Sequence, residues 1–308
     1  MVEIESVNGA APESAADRPE FESMVAVYPT EPIVLEAPEH VDDPTTRVID
    51  LLTPIGKGQR ALVAAPPRSG TTMLLRNVIR AIEDRHPELV LLVVLLDERP
   101  EDITEMHRWV ERGEVISAAF DRPADEQVTI AEMVIERAKR VAEGGRDVVV
   151  VLDGITRLAR AYAQEAAGNR SPVVVDATTV HPAKRVLGAA RNLEDGGSLT
   201  MLATIAVGTD STVDATIYEE LAGTANLEIR LDRAAVVRRV FPAIDIARSA
   251  TVHEDELRDP STLDAVRSLR RRLAAVADDP ASEASADLQA LLEVIAGSAD
   301  NAALLEAP

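Results

Sequence analysis

Residues 61–85 read ALVAAPPRSGTTMLLRNVIRAIEDR. The small apolar run Ala61–Ala65 suits a short buried strand, and Pro66-Pro67-Arg68-Ser69-Gly70 ends it in a turn. From Thr71 to Arg85 the apolar residues recur at helical spacing. A strand, a glycine turn and a helix in this order bring backbone N–H groups together at a helix N-terminus, which can cradle phosphates. Ala65-x4-Gly70-Thr71-Thr72 has the length of a phosphate-binding loop, with Thr72 placed for Mg²⁺. In such loops a Lys normally follows the glycine; here that residue is Thr71. From these residues alone an ordinary strand-to-helix turn fits as well.

Working outward, the spacing predicts strands at Leu89–Leu96 (LVLLVVLL), Val115–Ala119, Asp147–Leu152 and Leu199–Val207, with two more at Thr224–Leu231 and Ala235–Phe241. Helices are expected over Glu101–Val110, Thr129–Glu143 and Leu263–Val276, and a loop of about two dozen residues after Tyr162. Strands alternating with helices predict an α/β fold with a mostly parallel sheet flanked by helices. Residues 1–20 read as a disordered acidic leader. Residues 21–45 read as an extended rather than packed linker, and residues 46–308 as one folded domain ending in helices.

The 308 residues are 46% hydrophobic, enough for a sizeable core, and contain no Cys. That excludes a disulfide scaffold, an Fe–S centre and a thiolate zinc site. Five scattered His argue against a His-rich metal site. No apolar run approaches the roughly 18–20 residues of a membrane span, and the N-terminus lacks a signal peptide's apolar region. A cytoplasmic protein without membrane contact is expected. The net charge of −21 is concentrated at the ends: eleven acids face one base in residues 1–45, and twelve face five in residues 251–308. Such a surface repels nucleic-acid backbones. Seven aromatic side chains are too few for a stacking face that binds single strands.

Ligands bind beyond the carboxyl ends of strands in such sheets. Three loops lie there: APPRSGTT, DERPEDITEM and DGITRLARAY. Glu98, after Asp97 at a strand end, could orient a water towards a terminal phosphate, and Asp153 closes VVVVLD in the manner of a Walker-B acid. Each reads equally well as a cap or a solvated acid when taken singly. Arg157 and Arg160, three apart on the next helix, could contact a neighbouring subunit or form intrahelical pairs, and the second is expected.

The phrases TRVIDLLTPIGKGQRALVAAPPRSGTTMLL, LLDERPEDITEM, DGITRLARAY, KRVLGAARNLEDGGSLT, IYEELAGTANLEI and RRVFPAIDIARSAT closely resemble the ATPase domain of the bacterial transcription termination factor Rho family. The similarity runs from about Phe21 nearly to the C-terminus. The resemblance implies a RecA-like P-loop NTPase fold, hexameric rings, and ATP-driven movement along RNA to release transcripts. RNA and RNA polymerase are the partners it implies, with ATP and Mg²⁺ at the site. The family's N-terminal RNA-capturing OB-fold is expected to be lacking.

Position by position, Glu98 matches the catalytic Glu and Asp153 the Walker-B Asp, which with Thr72 holds Mg²⁺. Pro67, Arg68, Ser69, Gly70, Thr71, Thr72 and Met73 fall in the nucleotide loop. Phe241 matches the aromatic on adenine, and Arg239 an Arg near the nucleotide at the subunit boundary. Arg68 replaces one P-loop Lys and keeps the charge. Thr71 replaces another, and Val252 stands where the arginine finger is expected. Thr212 replaces a Lys of one pore loop. In the other, Asn169 takes the place of a Lys and Val173 and Val174 of glycines, with Arg170 as a substitute RNA contact. Three functions follow as expectations. The first is a Rho-like regulator that binds nucleotide, hydrolyses it poorly and binds RNA weakly, in a homo-hexamer or a mixed ring with Rho. The second is an active RNA-dependent ATPase and translocase. The third is a non-enzymatic assembly partner of a Rho ring.

Overall fold

Nine strands form one sheet in the computed structural model, which describes residues 18–37, 43–168, 173–279 and 283–306. They are β1 (Ala26–Val27), β2 (Arg60–Ala65), β3 (Val90–Glu98), β4 (Glu114–Ala119), β5 (Val148–Asp153), β6 (Arg191–Leu193), β7 (Ser198–Ala206), β8 (Leu227–Arg230) and β9 (Ala250–Thr251). The order is β4-β3-β5-β7-β2-β8-β9, with β6 on β7 and β1 on β6. The pairs from β4 through β8 are parallel; β9, β6 and β1 join antiparallel. The carboxyl ends of β2, β3, β5 and β7 therefore lie along one edge.

The central strands are apolar throughout because both faces are covered. Side chains alternate between the two faces. Val149 and Val151 of β5 join Leu91, Val93 and Leu95 of β3 and Ala61 and Val63 of β2 on one face. Val148, Val150 and Leu152 join Leu92, Val94, Leu96 and Leu62 on the other. The first face is closed by α1 (Thr45–Leu52), α2 (Thr71–Arg85) and part of α3 (Pro100–Trp109). The second is closed by α4 (Ala124–Glu143), α5 (Ile155–Ala167), α6 (Ala177–Gly188) and α7 (Thr212–Ala222). After the short α8 (Arg233–Val237), three C-terminal helices return to the first face: α9 (Pro260–Ala277), α10 (Ala286–Ala296) and α11 (Asn301–Glu306). Leu269, Leu273, Leu288, Leu291, Ile295 and Leu304 enter its core. Arg270 of α9 donates to the Ser249 carbonyl at 3.1 Å, and Arg47 of α1 donates to the Ile295 carbonyl at 2.9 Å.

Three expectations need correction. The segment read as an unpacked linker is a strap against the body: Phe21, Ile33 and Leu35 are fully buried, and β1 pairs with β6. Its anchors are scattered among Pro and Glu and leave no periodic pattern. The Phe21 amide donates to Glu143 at 2.8 Å, and the Leu35 and Glu36 amides donate to Asp50 at 2.9 and 2.7 Å. Lys139 bridges Glu22 and Glu136, and Lys57 bridges Glu31 and Asp147. The run Ala235–Phe241 is not a strand. Asp232 caps a helix by accepting from the Ala234 amide at 2.9 Å, and the edge of β8 is already paired with β9. The long loop after Tyr162 is mostly helix: α5 continues to Ala167, and a capping box on Asp176 and Thr179 starts α6. Most of the leader (residues 1–17), part of the linker (38–42), and Asn169 and Arg170 lie outside the described residues.

Candidate functional site: a cleft at the carboxyl edge of the sheet

A cleft of about 880 Å³ opens where β2, β3, β5 and β7 end. Pro67, Arg68, Ser69, Gly70, Thr71, Thr72 and Met73 line it together with Glu98 and Asp153, so the structure brings the three separate loops into one site. The turn after β2 passes through Arg68 and Gly70 with φ of 61° and 91°. That left-handed step is one a glycine takes without steric cost, and it leads directly into α2. The first-turn amides of α2 have no partners within the helix, an arrangement that favours an anion at the helix N-terminus. Ser69 is buried, and its hydroxyl has no hydrogen-bond partner among the described residues. A buried hydroxyl left this way fits a ligand that supplies the missing partner.

Glu98 reaches the cleft because β3 is irregular. The register against β4 shifts between Leu96 and Glu98, and Asp97 takes φ of 56°. Such a bulge re-aims the side chain that follows it. Arg157 of α5 donates to Glu98, donates to the Leu96 carbonyl at 3.1 Å, and lies 3.8 Å from Asp153. Burial raises the Glu98 pKa above its ordinary value, with the Asp153 charge adding to the rise and Arg157 opposing it. Burial works against the Arg157 charge, but Asp153 and Glu98 outweigh it and its pKa is raised.

Asp153 accepts from the Thr204 hydroxyl at 2.7 Å. A Cβ on the neighbouring Gly154 would meet that same hydroxyl oxygen at 2.5 Å, so only glycine leaves the bond undisturbed. Arg160 pairs with Asp214 of α7 at 2.5 Å, and Asp214 also accepts from Thr209 at 2.7 Å. Both arginines thus pair with residues of other strands and helices, and the expected intrahelical pairing is corrected.

A second cavity of about 540 Å³ adjoins the cleft through the shared residues Ser69, Gly70 and Met73. Phe241, Pro242 and Leu231 give it apolar walls, and Asp43, Thr45 and Asn77 a polar rim. Asn77 donates to Asp43, and to Thr45 at 3.2 Å. The sequence reading missed this rim, because Asp43 and Asn77 meet only once α1 packs beside α2. Phe241 and Met73 stand half-exposed beside the cavity, available to a flat ring. Arg239 is exposed and is not among the residues lining either cavity.

Mg²⁺ takes octahedral oxygen ligands, usually one or two carboxylates with phosphate oxygens and waters. Thr72 and Asp153, both on the cleft wall, fit that sparse donor set. No group of three or more His, Cys, Asp or Glu among the described residues could form an all-protein cage. No helix among them is long and apolar enough to cross a membrane.

Comparison with known proteins gives a consistent result. Residues 45–251 match the ATP synthase alpha/beta family, nucleotide-binding domain. The chain is 50% identical over 285 residues to transcription termination factor Rho of Streptomyces lividans, covering 92% of this chain and 40% of that protein. It is 49% identical over 286 residues to the Rho of Chromobacterium violaceum, covering 92% and 68% respectively. Against Rho of Mycobacterium bovis it spans 45% of the relative, so it represents under half the length of several proteins it matches. Among solved structures it superposes on a prototypical ATPase from a bacterial type III secretion system, with TM-score 0.73 and 20% identity over 99% of this chain and 92% of that one. The assembled type III secretion ATPase EscN gives 0.71 and 21%, over 88% and 67%. At those identities the structural likeness speaks for the RecA-like P-loop fold alone.

Proposed function

The chain belongs to the Rho transcription termination factor family and carries a nucleotide-binding domain of the ATP synthase alpha/beta kind, and from that premise we propose that it is a nucleotide-binding regulator of transcription termination whose hydrolysis is impaired. One observation carries the reading: Thr72, Glu98 and Asp153 share a cleft with an intact glycine turn, while residue 71 is a Thr. The first-turn amides of α2 and the Ser69 hydroxyl would hold phosphates, and Phe241 and Met73 would flank the base. Thr72 and Asp153 would hold Mg²⁺, which neutralises phosphate charge when bound. Glu98 would orient the attacking water once ionised.

Hydrolysis also needs cations on the charge that develops at the terminal phosphoryl group. An arginine finger is worth about 10³–10⁵ in rate where one has been measured. Val252, at the position the family resemblance gives to that finger, is half-exposed and apolar. Thr212 and a net charge of −21 likewise favour weak RNA binding. Ring assembly, with further copies or with a complete Rho, and a cytoplasmic setting near RNA polymerase complete the proposal.

The test joins titration of the chain with fluorescent ATP and Mg²⁺ to steady-state phosphate release with and without pyrimidine-rich RNA. The expected result is saturable binding, weakened at least about tenfold by Asp153→Asn, with negligible turnover. Robust RNA-stimulated turnover would overturn it in favour of an active translocase, the reading that the retained Glu98 and Asp153 favour. Ring formation without nucleotide binding would leave only an assembly role.

A further inference from the structure

Five arginines line the cleft. Arg157 is held by Glu98 and the Leu96 carbonyl, and Arg160 by Asp214, whose side chain is 5% exposed. Arg68 and Arg99 stand exposed at the rim, where solvent and salt screen them. Arg76 is different. Its side chain is only 14% exposed, yet the acid that holds it, Glu105, is 60% exposed. Two of its nitrogens reach that carboxylate, at 2.7 and 3.2 Å, and its Nε is buried without a hydrogen-bond partner among the described residues. A buried donor left unpaired is costly, and a ligand that supplies an acceptor relieves the cost.

Arg76 belongs to α2, one turn beyond Thr72 and about 6 Å along the helix axis. A helical side chain leans back towards the N-terminus, so that of Arg76 lies over the turn that carries Thr72 and Met73. Its guanidinium stands 5.6 Å from the centre of the Trp109 ring, and Arg80, paired with Glu111, stands 5.5 Å from the same ring. Trp109 and Glu105 both belong to α3, the helix that follows Glu98. Arg76 is therefore held on the Glu98 side of the cleft, where an outermost phosphate would lie. An ion pair to an exposed acid is weak, and a guanidinium fork fits phosphate oxygens as well as it fits a carboxylate. A change of side-chain rotamer exchanges one for the other.

We propose that Arg76 is a phosphate-binding residue, exchanging Glu105 for the outermost phosphate of a bound triphosphate and standing in for the cation that Thr71 does not supply. The proposal rests on the nucleotide-binding reading and deepens it. A Mg²⁺-bound triphosphate still carries net negative charge, so the attraction keeps its sign with the metal on Thr72 and Asp153. Glu105 then sets the affinity, as a competitor for the guanidinium. The contact holds bound nucleotide and transition state alike, and uniform binding of that kind raises affinity without raising turnover.

The test is calorimetric titration of the full chain, with Mg²⁺ present, by the β,γ-imido analogue of ATP and by ADP. Arg76→Gln should weaken the analogue about tenfold or more and ADP by less than about threefold. Arg76→Lys, which keeps the charge, should recover part of the loss. Glu105→Gln, a change at an exposed acid, should tighten the analogue about two- to fivefold, and in combination with Arg76→Gln it should add nothing. A pin that merely joins α2 to α3 gives no such tightening, so unchanged or weaker binding by Glu105→Gln overturns the proposal. Equal losses of analogue and ADP on Arg76→Gln overturn it as well, as does a loss of the analogue within about twofold. In each of these cases the chain still binds nucleotide. If the unchanged chain binds neither, the nucleotide-binding reading itself falls.

Discussion

Arg157 shows how one side chain can set the state of a site. It is the cation that lowers the Glu98 pKa against burial and against Asp153. An acid whose folded pKa lies above its ordinary 4.5 contributes stability that is complete below that value and is lost as pH rises through the folded pKa. Arg157→Ala should raise the Glu98 pKa further and leave this half-buried carboxyl without its cationic partner. A destabilisation of about 1–3 kcal/mol at pH 7 is expected. It should shrink as pH falls, because protonation of Glu98 removes the charge that Arg157 pairs, as denaturant melts across that range would reveal. Glu98, Asp153 and Thr72 were legible in the sequence because they close apolar strands or open a helix after a glycine turn. The partners of Arg157 and Arg160 were not, since they lie 59 and 54 residues away and meet only through the sheet order.

Among the elements, the strap over residues 18–37 departs most from its sequence. Phe21 is wholly buried, with Arg191 centred 4.7 Å over its ring and Lys139 5.9 Å away. Its loss leaves a cavity that the sheet edge cannot close. Phe21→Ala should cost about 3–5 kcal/mol in chemical denaturation. Lys139→Ala removes ion pairs whose acids are over half exposed, and should cost under about 1 kcal/mol. Burial pulls the Lys57 and Lys139 pKa values down, but Glu31 and Asp147, and Glu136 and Glu22, outweigh it and raise both above 10.5. The stability these amines add is complete below 10.5 and fades as pH climbs through the raised values. Amide exchange of residues 21–27 should therefore quicken relative to the central strands as pH climbs past 10.5. Regular periods revealed β3, β5 and α4. The strap, the α6 helix with Pro182 inside it, and the capped α8 lack such periods or mimic a strand's.

For the whole molecule, the segment matched to the nucleotide-binding family, residues 45–251, is smaller than the unit that folds. The core on one face of the sheet takes Ile33 and Leu35 from before it and Leu269, Leu273, Leu288, Leu291, Ile295 and Leu304 from after it. A fragment of residues 45–251 uncovers that face and should aggregate or lose cooperative melting. The full chain should melt in one transition by calorimetry. The α/β architecture was legible because alternating apolar strands and amphipathic helices have few packing solutions. The return of the chain ends onto the sheet was not, since nothing local fixes which face a terminal helix covers. Only three lysines serve the entire chain, and two of them, Lys57 and Lys139, clip the strap with side chains only 13% exposed. Lys184 is 41% exposed, 3.9 Å from Glu220. Acylating reagents should thus modify Lys184 first, and the delay at the other two gives a chemical clock for strap release that needs no engineered label.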